Sequence, residues 1–208
     1  MKNINTSQDV YAFNFGEALK IIINNLMNSD FERNKNLGAP FSFNENNLRK
    51  HFSDCIENIN LNNLNPKLII ERNIDGDLKS INKRHGGTDY FYVNKSCDTY
   101  HHSDVLATFE VKGPTRPSLL KGSKVNWYPK IITDIKKQMW RNLNFSNCSN
   151  YIVLLIKSND IHTHNQVMSL YKVMEDDITG VNLDECFWES IFFRSSPLHI
   201  SIARVSSI

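Results

Sequence analysis

Between residues 12 and 28, Phe15, Leu19, Ile22, Ile23 and Leu26 fall on one stripe at helical spacing, which predicts an amphipathic helix with one face against a core. A Gly-Ala-Pro break at 38–40 separates it from a second helix. There Ser42 and Glu45 stand at capping-box spacing, and Leu48, Phe52, Cys55, Ile56 and Ile59 continue the helical period until the Asn-rich stretch 60–65. Beyond it the pattern shortens to strands. Residues 67–72 (KLIIER) are aliphatic and end near the Asp75-Gly76 turn signal, and 88–93 (TDYFYV) are aromatic and β-branched. Residues 105–112 (VLATFEVK) are apolar on both faces until their end, as in a central strand. A helix is predicted over 128–143 with Ile131, Ile135, Met139 and Leu143 as its apolar stripe, then a buried strand at 151–157 (YIVLLIK). The tail reads as a helix near 165–175, a short segment around 187–193 and a last strand at 198–205.

Strands joined by hairpins, then a crossover helix, then a further strand predict an α/β domain with a mixed central sheet flanked by helices. The expected organisation is a helical segment at 1–65 packing on a core at 66–160, with 161–208 extending the same domain. The chain of 208 residues fits one domain of ordinary size, and 40% hydrophobic with 22% charged residues is the profile of a folded soluble protein. Its longest apolar run, 151–156, is far short of a bilayer span, so no membrane association is expected. The first ten residues are polar, and the four cysteines, Cys55, Cys97, Cys148 and Cys186, have no metal-ligand or redox spacing. A cytoplasmic setting with free thiols is the expectation.

The formal net charge of +2 hides an asymmetry. From Lys112 to Arg141 eight basic side chains meet one acid, Asp134, so this segment is +7 and the remainder −5. Such a split suits a protein with one face toward a polyanion.

Candidate chemistry sits where the strands end. In Glu110-Val111-Lys112 the first and third side chains share one side of the strand, because side chains alternate with period two. Packing alone does not explain a charged pair at the end of an apolar central strand. If the second and third strands form a hairpin centred near residues 99 and 100, positions summing to 199 face each other and Asp89 lands opposite Glu110. Cross-strand neighbours approach to about 4.5–5.5 Å, so two carboxylates there need something to offset their repulsion, which a divalent cation does well. Mg²⁺ suits such a site, with Mn²⁺ as a substitute, because it takes a few carboxylates plus water and phosphate oxygens. Asp89 and Glu110 would hold the ion, with the Val111 carbonyl as a third oxygen. Lys112 would orient or deprotonate a water, or stabilise charge on a phosphate.

These residues resemble the PD-(D/E)XK nuclease superfamily, the core of many restriction endonucleases, repair nucleases and phage-defence effectors. The resemblance covers about residues 66–157 plus one N-terminal helix. It rests on Thr88-Asp89, on Glu110-Val111-Lys112 and on the αβββαβ element order. It implies a restriction-endonuclease-like fold, Asp89 and Glu110 as metal ligands and Lys112 as the catalytic lysine. Threonine stands at 88 where the motif has proline. Lys137, Gln138 and Arg141 are the positions of the following helix that would face the site, and Asn142 stands where the RecB-like branch would have tyrosine.

The loop 113–126 (GPTRPSLLKGSKVN) is the candidate substrate loop, with Arg116, Lys121 and Lys124 to track phosphates. Trp127, Tyr128 and Trp140 offer rings for stacking or for the core. Glu17, Glu57 and Glu71 are further carboxylates, of which the two helical ones read as solvent-facing. His101-His102 and His162-x-His164 lack a third ligand for zinc. The expected function is Mg²⁺-dependent endonucleolytic cleavage of double-stranded DNA by a homodimer, of the restriction or phage-defence kind. The alternatives are a structure-specific or RNA-directed nuclease with the same core, and a non-catalytic nucleic-acid-binding module of this fold.

Overall fold

A computed structural model describes residues 6–34, 48, 50, 52, 67–73, 87–94, 102–115, 127–192 and 197–208. In chain order its elements are α1 (Thr6–Asn34), β1 (Lys67–Asn73), β2 (Gly87–Val93), a 3₁₀ turn (His102–Asp104), β3 (Val105–Thr115), α2 (Trp127–Asn144), β4 (Ser149–Lys157), α3 (Thr163–Asp177), β5 (Val181–Ile191) and β6 (Leu198–Ser207). The six described strands form one open mixed sheet in the order β1-β2-β3-β4-β6-β5. β3 and β4 are parallel and the other neighbours antiparallel. A parallel pair needs a crossover, and α2 supplies it. No described helix is long and apolar enough to cross a membrane.

The predicted elements recur with shifted ends. α1 runs beyond 12–28 at both ends, and its stripe Phe15, Leu19, Ile22, Ile23 and Leu26 is buried. The second predicted helix lies largely outside the described residues, but Leu48, Lys50 and Phe52 are helical, with Leu48 and Phe52 buried. The short segment expected around 187–193 is instead the last part of an eleven-residue strand, β5, which ends at Ile191 and leaves Phe192 exposed. Its burial pattern is broken by a bulge between Glu185 and Phe187, which blurs the two-residue period in the sequence.

The two faces of the sheet differ in chemistry. Toward α1 stand Tyr90, Tyr92, Phe109, Val111, Tyr151, Val153 and Leu155, joined with the α1 stripe in one apolar cluster. Its centre is a column of rings. Phe15 stacks on Phe109 at 4.0 Å between centroids, and Phe109 on Tyr151 at 4.9 Å, with the ring planes near parallel in both pairs. The opposite face carries Ile152, Leu154, Ile156, Ala203 and Val205, covered by α2 and α3.

On that face α2 departs from its predicted stripe. Ile131 and Ile135 are buried, but Met139 is only half-buried and Leu143 is 78% exposed. Gln138 and Arg141 are buried in their place. The cause lies in β3, whose residues toward α2 include Thr108 and Glu110; a buried carboxylate and hydroxyl require polar partners, and the helix turns its polar face inward to provide them.

β3 continues past the predicted strand end through Gly113, whose φ of 124° is a conformation other residues rarely adopt. A Cβ there would lie 2.3 Å from the carbonyl oxygen of Leu155. The glycine thus lets the strand bearing Glu110 and Lys112 stay against β4 through the register shift between Lys112 and Thr115. Gly113→Ala is expected to destabilise the fold by at least ~2 kcal/mol through backbone strain and overlap; urea unfolding followed by circular dichroism measures the loss.

Candidate active site

The ladder between β2 and β3 pairs Tyr90 with Phe109, Phe91 with Thr108 and Tyr92 with Ala107. Each of these pairs sums to 199, the register expected from the hairpin, while a bulge shifts the ladder by one residue at Val93–Val105. Beyond Tyr90, hydrogen bonds from Thr88 to Glu110 and from Val111 to Asp89 link the start of β2 to β3. Asp89 is nearly buried, and its Oδ2 accepts a 2.9 Å hydrogen bond from the backbone N–H of Val111. The carboxylate thereby ties the start of β2 to the strand that bears Glu110 and Lys112.

Glu110 is 1% exposed, and a bare carboxylate so placed would be costly. Three donors converge on its Oε1: Lys137 Nζ at 2.6 Å, Arg141 Nη1 at 2.8 Å and Thr88 Oγ1 at 3.1 Å. Thr88 thus serves as a hydroxyl donor to the buried acid across the ladder. Burial alone would raise the Glu110 pKa, but the charges of Arg141 and Lys137 and their hydrogen bonds outweigh it and hold the group below the ordinary glutamate range.

Arg141 is held in turn. Its Nη1 donates to Gln138 Oε1 at 2.9 Å, and Gln138 Nε2 donates to the Tyr151 carbonyl at 2.8 Å. Thr108 Oγ1 lies 2.8 Å from Gln138 Oε1 and 2.6 Å from Asn150 Oδ1, and Asn150 Nδ2 donates to Asn142 Oδ1 at 2.6 Å. This buried polar network runs beneath Glu110 from α2 to β4.

Lys112 projects on the same side of β3 as Glu110 and pairs with Asp134 of α2 at 3.0 Å. Burial and the nearby charge of Glu110 push the Asp134 pKa up, with Lys112 and Lys137 acting against them. Asp134, Lys137, Gln138 and Arg141 stand at i, i+3, i+4 and i+7, one face of the helix. The geometry thus gathers Asp89, Glu110, Lys112, Lys137, Gln138 and Arg141, and adds Thr88, Thr108, Asp134 and Asn150. Asp134 was legible as the one acid in the +7 segment, at helical spacing from Lys137 and Arg141.

Arg116, Lys121 and Lys124 lie outside the described residues, as do Glu57 and the side chain of Glu71. Glu17 sits on α1, across the sheet, and pairs with Lys20 at 3.6 Å. His164 opens α3, where its Nε2 lies 2.6 Å from Glu185 Oε2; His101 is outside the described residues. Gln138 and Arg141 are fully buried, so their part is to support the site and not to meet a nucleic acid.

Asp89, Glu110 and the Val111 carbonyl are hard oxygen donors. Mg²⁺ takes one or two protein carboxylates and completes its shell with water and phosphate oxygens, so this donor set fits it. Among the described residues no three His, Cys, Asp or Glu side chains converge on one point, so these donors do not form the closed four-ligand cage of structural zinc.

Arg141→Met would leave Glu110 buried with a single cationic partner and take one of two donors from Gln138 Oε1, at a cost of about 3–5 kcal/mol. In the unaltered chain Glu110 titrates below its ordinary value of 4.5. The stability from its pairing is therefore full above pH 4.5 and is lost as pH falls through the lower folded value. Removing the guanidinium lets burial raise the Glu110 pKa, so the deficit of Arg141→Met should be largest at neutral pH and shrink on acidification. Thermal unfolding of both chains between pH 3 and 8, read as roughly one kcal/mol steps in stability, checks this sign.

No protein-family model, curated protein sequence or solved structure matches the chain.

Proposed function

We propose that the chain is a Mg²⁺-dependent nuclease that hydrolyses phosphodiester bonds in DNA, with Asp89, Glu110 and Lys112 at its centre. The observation that supports this reading is the link between the start of β2 and β3, where Asp89 accepts from the Val111 N–H and Thr88 donates to Glu110, with Lys112 two residues on along the same side of β3. The αβββαβ order of α1 to β4 supports a restriction-endonuclease-like core, to which α3, β5 and β6 add. The basic excess beginning at Lys112 supports a polyanionic substrate.

In this reading Asp89 and Glu110 would hold Mg²⁺, with the Val111 carbonyl beside them. The ion supplies Lewis acidity toward the phosphate and lowers the pKa of a bound water. Asp89 also fixes the backbone of Val111, so that the two acids keep their spacing. Lys112, on the side of Glu110, supplies positive charge where a phosphate oxygen gains negative charge. Asp134 keeps the flexible stem of Lys112 in that position. Thr88 and Arg141 restrain the Glu110 carboxylate, and the fixed network of Gln138, Thr108 and Asn150 maintains the helix against the strand. Double-stranded DNA as target, a homodimer with one site for each strand, and a restriction or phage-defence role extend the same proposal.

A non-catalytic nucleic-acid-binding module is the second reading, favoured by one specific observation: Glu110 and Lys112 are already neutralised by side chains of α2. Incubation with supercoiled plasmid, linear duplex and RNA, with Mg²⁺ or Mn²⁺ and with or without EDTA, separates the two. Cleavage should need the metal and fall at least ~100-fold in Asp89→Asn, Glu110→Gln and Lys112→Ala. Cleavage that survives both EDTA and Lys112→Ala rejects the mechanism, and binding without cleavage favours the module. Discrete fragments from linear DNA point to sequence-specific restriction; preference for RNA redirects the target to that polymer.

A further inference from the structure

Resting on the metal-site reading above, we infer that Lys137 is an internal counter-ion of Glu110, which a divalent cation must displace in order to bind. The two cations on Glu110 Oε1 differ in freedom. The Arg141 guanidinium is 1% exposed and anchored by Gln138, itself fastened to the β4 backbone. The Lys137 ammonium ends a flexible four-carbon stem at the rim, with its side chain 13% exposed and its described ion pair to Glu110 alone. One cation is built in and the other is free to leave.

Charge balance gives the reason for leaving. Among the described residues, the formal charges of Asp89, Glu110 and Asp134 balance those of Lys112, Lys137 and Arg141. A divalent ion beside Glu110 would bring two further positive charges next to the Lys137 ammonium in a poorly solvated place, where like charges repel strongly. Arg141 cannot move without breaking its network, whereas Lys137 swings outward by rotating its stem. The displaced ammonium, at the rim beside Lys112, is then positioned for a phosphate oxygen, whose negative charge offsets the excess. Metal and phosphate should consequently bind more tightly together than either does alone.

The test is Mn²⁺ binding to the full chain without nucleic acid, read by loss of the free-ion electron paramagnetic resonance signal. Lys137→Met, which keeps the apolar stem and removes the competitor, should bind Mn²⁺ about tenfold more tightly than the unaltered chain. Lys137→Arg should bind like the unaltered chain, and Glu110→Gln should lose binding in either background. Equal affinity of Lys137→Met and the unaltered chain, with binding lost in Glu110→Gln, overturns the inference and leaves the metal site standing. Tight binding that persists in Glu110→Gln also overturns it, because the competition would then lie elsewhere. No binding to any of these chains overturns the inference and the metal site together. A thermal melt accompanies each variant, and Lys137→Gln replaces Lys137→Met if the latter does not fold.

Discussion

The need to neutralise a carboxylate buried on the central strand governs much of this structure. Glu110 sits on β3 between β2 and β4, beneath a helix, where water is excluded. An uncompensated charge in such a place costs several kcal/mol, enough to remove much of the stability of a domain this size. The compensation comes from a threonine on β2 and from a lysine and an arginine on α2. The arginine then needs its own partner, and that partner needs a backbone carbonyl of β4. One buried charge thus recruits an ordered set of polar residues on both neighbouring strands and the crossover helix.

The opposite face of the sheet allows this. Phe15, Phe109 and Tyr151 stack in a largely apolar layer that binds α1 to β3 and β4. Burial of rings on that side provides the non-directional stabilisation, while the α2 side spends part of its contact area on directed hydrogen bonds. A residue on β3 therefore belongs either to packing or to chemistry according to its parity: Phe109 and Val111 face one way, Thr108, Glu110 and Lys112 the other. That division ties the charged side of β3 to the aromatic column through Phe109, which stacks on Phe15 of α1 and Tyr151 of β4.

Nearly all described elements were legible as types in the linear pattern, since helical and strand periods are local properties of the chain. So was the β2–β3 register, because Asp89 and Glu110 are close in sequence and the hairpin between them leaves few alternatives. Glu110 and Lys112 stood out as charges on an otherwise apolar strand. Asp134 was visible only as a lone acid among bases, and the Thr88 hydroxyl was passed over as a missing proline. The expected apolar stripe through Met139 and Leu143 gave way to Gln138 and Arg141 because hydrophobicity counts a helix face alone, without the strand it will meet.

By itself the sequence determined the alternation of elements, the two-sided character of β3 and the β2–β3 register at Tyr90 to Tyr92, all consequences of spacing along the chain. Only the tertiary structure decided how α2 is rotated, which cation sits on which carboxylate, and that β6 enters the sheet between β4 and β5. Those outcomes depend on contacts between residues some tens of positions apart, such as Thr108 with Gln138 and Glu110 with Arg141. For the rotation of α2 and the ion pairs, the physical cause is the demand of a buried charge for partners, which exists only once the strands and the helix have closed around it.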